Sequence, residues 1–170
     1  MTQSIVYTGA PRHRPFVTTP IALQAIIMND EEQFLLLNSP RRQQGWQTVS
    51  GAIEAGETIL AGTLREVGEE LGESVRVRPL GIVHAETFHY DEQVRFMVST
   101  YYLMVYEGGE IVPGDDMAGS EARWWLLDEL VNGVDLHFHD SIKLWLLRRS
   151  VDLYRLWKDE GERPLQPLLD

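Results

Sequence analysis

Residues 51–73 read GAIEAGETILAGTLREVGEELGE, and the second half of this stretch has the period of a helix. Leu60, Leu64, Val67 and Leu71 recur at i, i+4, i+7 and i+11, which sets them on one stripe. Thr58 is a suitable N-cap and Gly72 a suitable stop. Glu66, Glu69, Glu70 and Glu73 then crowd one another at separations of three and four residues, where each like-charge pair costs roughly 0.2–0.5 kcal/mol. On that face only Arg65 brings positive charge. Divalent metal would supply the rest. Magnesium and manganese prefer hard oxygen ligands in octahedral geometry at roughly 2.0–2.1 Å, and Glu66, Glu69 and Glu70 have the i, i+3, i+4 spacing that sets several carboxylate oxygens round one point. Two such ions roughly 3.5–4 Å apart bridge a diphosphate, neutralise its charge and lower the pKa of an attacking water. The expected chemistry is hydrolysis at phosphorus.

Outward from this stretch the period changes from helical to extended. IALQAIIM (21–28) and FLLLN (34–38) read as a hairpin around the turn-like NDEEQ, and SPRRQQGWQTVSG (39–51) reads as a loop. After the helix, VRVRPLGIVHAETFHY, QVRFMVSTYYLMVYE and ARWWLLDEL predict two or three more strands, separated by a long polar loop, GGEIVPGDDMAGSE. DSIKLWLLRRSVDLYRLWKD predicts a second, more hydrophobic helix. Strands, a central helix, more strands and a last helix imply a mixed α/β or α+β domain with helices packed on a sheet. The expected division is an N-terminal arm (1–18), a domain (19–160) and a tail (161–170).

At 170 residues the chain is long enough to bury a full core without staples. It has no cysteine, which removes disulfides, thiolate zinc sites and thiol nucleophiles together and suits a reducing compartment. The first residues show no signal-peptide pattern, and no apolar run approaches the roughly 18 residues of a membrane span, so a cytoplasmic location is expected. The net charge of −11 argues against binding to a nucleic-acid polymer or an anionic membrane, both of which call for a basic footprint. A small phosphorylated ligand stays compatible if metal or local arginine offsets the acid.

Gly51, Glu57, Arg65, Glu66, Val67, Glu69, Glu70 and Gly72 match the Nudix box, and the chain resembles the Nudix hydrolase family across roughly residues 20–130. Seven fixed identities with background frequencies of roughly 5–10% arise by chance about once in 10^8 placements. One position departs: Glu73 stands where the family usually has an aliphatic residue. The resemblance implies a three-layer α/β/α sandwich with a mixed sheet, and cleavage of the diphosphate linkage of nucleoside di- or triphosphates or other nucleoside diphosphate derivatives. It implies Mg²⁺ or Mn²⁺ on Glu66, Glu69 and Glu70, with the Gly51 carbonyl touching a metal. Arg65 would orient a ligand carboxylate, and Glu57 would pair with that arginine or join the metal site. Glu54 reads as a peripheral acid.

Many Nudix enzymes take a further glutamate from a later loop as base or extra ligand; Glu121 is the first candidate, then Glu110 and Glu86. Arg41, Arg42 and Trp46 precede the box where a substrate can lie, offering phosphate contacts and a stacking face, although a tryptophan there is more often core. His137 and His139 would share one side of an extended segment, a weak transition-metal signal without a third ligand. His84 and His89 read as strand or loop residues, and one tyrosine of the aromatic strands is a candidate for base stacking. Two rivals share the fold. An isopentenyl diphosphate isomerase uses a cysteine that this chain lacks, and a ligand-sensing module usually loses the box glutamates that this chain keeps. The last helix can dock on its own sheet or form a homodimer.

Overall fold

A computed structural model describes residues 5–7, 15–17, 19–40, 45–133, 137–139 and 142–159. Ile5–Tyr7 (β1) and Pro15–Val17 (β2) pair antiparallel as a small sheet of their own, where the polar sequence predicts an irregular arm. Ile21–Met28 (β3) and Phe34–Asn38 (β4) form the predicted hairpin. Its turn is fastened by Asn29, whose Oδ1 accepts from the N–H groups of Glu31 at 3.1 Å and Gln33 at 2.9 Å. Residues 39–51 are not all loop. Trp46–Gln47 (β5) pairs with β4, and Val49–Ala52 (β6) pairs with β3, both antiparallel. Strands this short carry no period for a sequence to display.

Ile59–Leu71 (α1) is the helix the box predicts, capped by Thr58, whose hydroxyl accepts from Ala61 N–H at 3.1 Å. Gly72 ends it at φ +101°, a conformation a side chain resists, and its N–H closes on the Gly68 carbonyl at 2.9 Å. Glu73 beyond it is exposed; Val75 fills the neighbouring apolar space, with its N–H bonded to the Gly72 carbonyl. The residue that departs from the box thus lies outside the core. Arg76–Phe88 (β7), Met97–Gly108 (β8) and Glu121–Trp125 (β9) are the later strands. Leu127–Asn132 (α2) is helical where ARWWLLDEL reads as strand, because the Glu129 carboxylate caps the Leu126 N–H at 2.8 Å and starts a turn. Leu144–Trp157 (α3) is the predicted last helix.

The main sheet runs β5-β4-β3-β8-β7, with β6 beside β3 and β9 beside β4. β3 and β8 are parallel from Ile21 opposite Val98 to Met28 opposite Val105; the other pairings are antiparallel. Both faces are covered, which is why β3 is apolar almost throughout. Ala25, Ile27, Leu35, Leu37, Tyr102 and Met104 pack with Leu60, Val67 and Leu71 of α1. Ile26, Met28, Phe34, Leu36, Tyr101, Leu103 and Val105 pack with Leu146, Leu147, Val151 and Tyr154 of α3. Each fully buried aliphatic or aromatic side chain contributes ~1.5–3 kcal/mol relative to exposure. The result is the α/β/α arrangement with a mixed sheet. Among the described residues no helix is long and apolar enough to cross a membrane.

Candidate active site

α1 lays its polar side against β6, and Arg65 is the centre of that contact. Its Nε donates to Glu57 Oε1 at 2.8 Å and one Nη to Glu57 Oε2 at 3.2 Å; that same Nη reaches the Ala52 carbonyl at 2.9 Å. The other Nη donates to Glu66 at 2.9 Å and Glu69 at 2.8 Å. One planar guanidinium thus ties the loop before the helix, the strand and two box glutamates together. Of the two roles that the resemblance leaves open for Glu57, pairing with Arg65 is the one seen here. Glu57 also accepts from the Glu54 N–H at 2.9 Å, and the hydrogen bonds from Arg65 and from this N–H hold its carboxyl below the usual carboxylate range.

Gly51 faces Glu66 so closely that a Cβ on it would stand 1.9 Å from the Glu66 carboxyl carbon. Any side chain there would displace the Glu66 carboxylate. Burial pushes the Glu66 carboxyl up, Arg65 offsets part of this, and the Glu69 charge adds to the rise. Glu70 is 2% exposed, and its Oε2 accepts from the Ser50 N–H at 3.1 Å. The side chains of Glu66 and Glu69 are 12% and 43% exposed, so the three acids run from core to solvent around one side of the helix.

The donor set suits a hard dication. Its members are carboxylates, one has its charged form disfavoured by burial, and a glycine keeps the strand off the carboxylate. As the side chains stand, no group of three acids or imidazoles among the described residues converges on a point that could hold an ion. Glu66 and Glu69 turn to Arg65, and Glu70 to Ser50.

The other candidates are scattered. Glu121 is exposed at the start of β9, in register with Asn38 of β4. Glu110 sits at the helix exit, its backbone N–H and C=O both bonded to the Ser74 hydroxyl, at 3.1 and 3.0 Å. Glu86 lies on the opposite face of the sheet from α1, bonded to Tyr101 at 2.8 Å and to Lys143. Trp46 is core: it is 8% exposed and edge-on to Trp125, with ring centroids 5.0 Å apart. Its backbone is clamped by the His137 carbonyl at 2.9 Å and the His139 N–H at 3.0 Å, so the expected stacking face is turned inward. Arg41 and Arg42 lie outside the described residues. His137 and His139 serve that backbone clamp, with no third ligand grouped beside them among the described residues.

A cavity of about 420 Å³ on the α3 face was not anticipated from the sequence. Gln24, Glu86, Tyr101 and Lys143 line it. It lies at the same end of the sheet as the box, since Gln24 pairs in register with Ser50. Gln24 Oε1 accepts from the Thr48 hydroxyl at 2.8 Å, so the segment 48–50 touches the cavity through one residue and Glu70 through another. The one clue in the sequence is a lone amide inside the apolar run IALQAIIM.

Comparison with known proteins bears on the family and the fold. The chain is 29% identical over 143 residues to the NAD-capped RNA hydrolase NudC of Pseudomonas aeruginosa, covering 84% of this chain and 46% of that protein. It is 33% identical over 101 residues to the protein of the same name from Deinococcus radiodurans, covering 59% and 34%. It thus spans less than half the length of these curated relatives. Among solved structures, it resembles a NUDIX-family hydrolase from Clostridium perfringens with a TM-score of 0.64 at 15% identity, over 81% of this chain and 99% of that one. An ADP-ribose pyrophosphatase from Streptococcus suis aligns with a TM-score of 0.62 at 18% identity, over 81% and 93%. At such identities the likeness is one of fold. The model of the NUDIX domain matches residues 18–148, a span that holds the box, both sheet faces and the start of α3, and the chain belongs to the Nudix family.

Proposed function

We propose that this chain hydrolyses the diphosphate linkage of nucleoside di- or triphosphates or of other nucleoside diphosphate derivatives, in the cytoplasm, with Mg²⁺ or Mn²⁺ held by Glu66, Glu69, Glu70 and the Gly51 carbonyl. The observation that carries this is the packing of Glu66 against Gly51, with Arg65 binding Glu57, Glu66 and Glu69 at once. A bound dication there supplies charge neutralisation of the diphosphate and a more acidic water. Arg65 orients the carboxylates and keeps the loop at Glu57 against the helix. Burial of Glu70 fixes its carboxylate, so little is lost in ordering it when it acts. Glu121, at the end of the loop that bonds to the last turn of α1 through Val112 and Gly114, is the candidate base outside the box.

The relatives' name points to a diphosphate within a dinucleotide cap. The net charge of −11 favours the free dinucleotide or another small nucleotide over the RNA chain. The test is product release from a panel of nucleoside diphosphates, triphosphates, dinucleotides and nucleotide sugars, each with Mg²⁺, with Mn²⁺ and with excess EDTA. Hydrolysis of at least one compound, abolished by EDTA, is expected. Ligand binding with no turnover under any metal would instead favour the sensing module.

A further inference from the structure

The cavity on the α3 face has a polar floor that neither the core nor the box uses. Glu86 Oε1 accepts both the Tyr101 hydroxyl, at 2.8 Å, and the Lys143 ammonium, and no described residue donates to Oε2. Lys143 spends one of its three N–H donors on this bond. Gln24 has its carbonyl oxygen engaged by Thr48, which leaves its amide N–H groups as donors on the same wall. The cavity therefore presents a charged acceptor flanked by donors. The rest of its wall joins Ser99, His89 and His139 to an aromatic pair: Phe88 and Tyr90 meet edge-to-face at 6.3 Å, and Tyr90 stays 60% exposed. Burial pushes the Glu86 carboxyl up, but the hydrogen bonds from Lys143 and Tyr101 outweigh it and bring it below its ordinary value, so at neutral pH it is an acceptor only.

We infer that this cavity seats the nucleobase of the substrate, with Glu86 Oε2 and the Lys143 ammonium reading a base edge that sets an N–H donor beside an acceptor, and Tyr90 lying against the ring. The inference rests on the nucleotide-hydrolase reading above and adds to it where specificity is set. An isoprenoid or other aliphatic group would desolvate Glu86 Oε2 and the remaining Lys143 N–H groups without giving them partners, which is costly. A bare sugar phosphate would leave the aromatic wall unused. The cavity is joined to the box through the sheet, because Gln24 on its wall is in register with Ser50, whose N–H donates to Glu70.

The experiment is calorimetric titration of the full chain, in EDTA, with AMP, GMP, CMP, UMP and ribose 5-phosphate. At least one nucleoside monophosphate is expected to bind tenfold or more tightly than ribose 5-phosphate. Glu86→Gln should weaken that nucleotide at least tenfold and leave ribose 5-phosphate unchanged. Tyr90→Ala, at an exposed rim position outside the core, carries the same expectation if Glu86→Gln fails to fold. Ribose 5-phosphate binding as tightly as all four nucleotides, or wild-type nucleotide affinity in folded Glu86→Gln, would overturn the inference. Metal plays no part in these titrations. Hydrolysis without base discrimination therefore sinks the cavity alone, and discrimination without hydrolysis sinks the hydrolase reading alone.

Discussion

A carboxylate as buried as that of Glu70 is tolerable only with donors or a cation to meet it, and Ser50 N–H supplies one donor. Glu70→Gln keeps a side-chain oxygen for Ser50 and nearly the same volume. It should keep its thermal midpoint, yet lose metal-dependent turnover by at least the roughly 10–100-fold that disturbing a metal's outer partners costs. A rate near wild type would remove Glu70 from the reaction. Gly51→Ala places a methyl where the Glu66 carboxyl stands, so the carboxylate must swing aside; metal-dependent hydrolysis should fall at least tenfold while the denaturant midpoint changes little. A rate near wild type would mean that the position of the Glu66 carboxylate does not matter to the reaction. The placing of Arg65, Glu66, Glu69 and Glu70 on one helix was legible from spacing, as was the contact of Arg65 with Glu69 at i, i+4. Gln24 and Lys143 were not. Lys143 meets Glu86 from 57 residues away, and Gln24 meets Thr48 only because β6 folds back on β3.

α1 carries the site, so its ends matter as much as its glutamates. Thr58→Ala removes the hydroxyl that accepts the Ala61 N–H and should cost ~0.5–2 kcal/mol in chemical denaturation. The variant should keep its metal dependence; a cost near zero would show that β6 packing alone sets where the helix begins. The elements legible in the sequence were those with a sustained signal: β3 with its apolar run, α1 with its stripe, α3 with its length of helix-forming, apolar-rich sequence. β5 and β6 escaped because two to four residues are too few to show alternation, and β1 and β2 because three residues each, IVY and PFV, do not stand out from the polar, proline-punctuated stretch around them. α2 escaped because its start is set by the Glu129 side chain rather than by a hydrophobic stripe.

Across the whole molecule, α3 is fastened to the β3–β4 turn by Tyr154, whose hydroxyl donates to the Asn29 carbonyl at 2.9 Å, and by Arg155, whose Nε donates to Glu32 at 2.8 Å. The hydrogen bond from Arg155 holds the Glu32 carboxyl below its ordinary 4.5. A carboxyl lowered by folding stabilises fully above its unfolded value and loses that contribution as pH falls through the lower folded value. Denaturation midpoints should therefore drop on acidification below about pH 4.5, and drop less in Glu32→Gln. Parallel profiles for the two proteins would show that the pair is fully screened by solvent. The same scale holds the central charge question, since 26 acids against 15 basic residues leave the box glutamates little long-range relief. Calorimetric titration of Mn²⁺ into the chain, with and without nucleotide, addresses it most directly. Saturable uptake that is lost in Glu70→Gln is predicted, and no uptake of Mn²⁺ or Mg²⁺ at neutral pH, even with nucleotide present, would contradict the account.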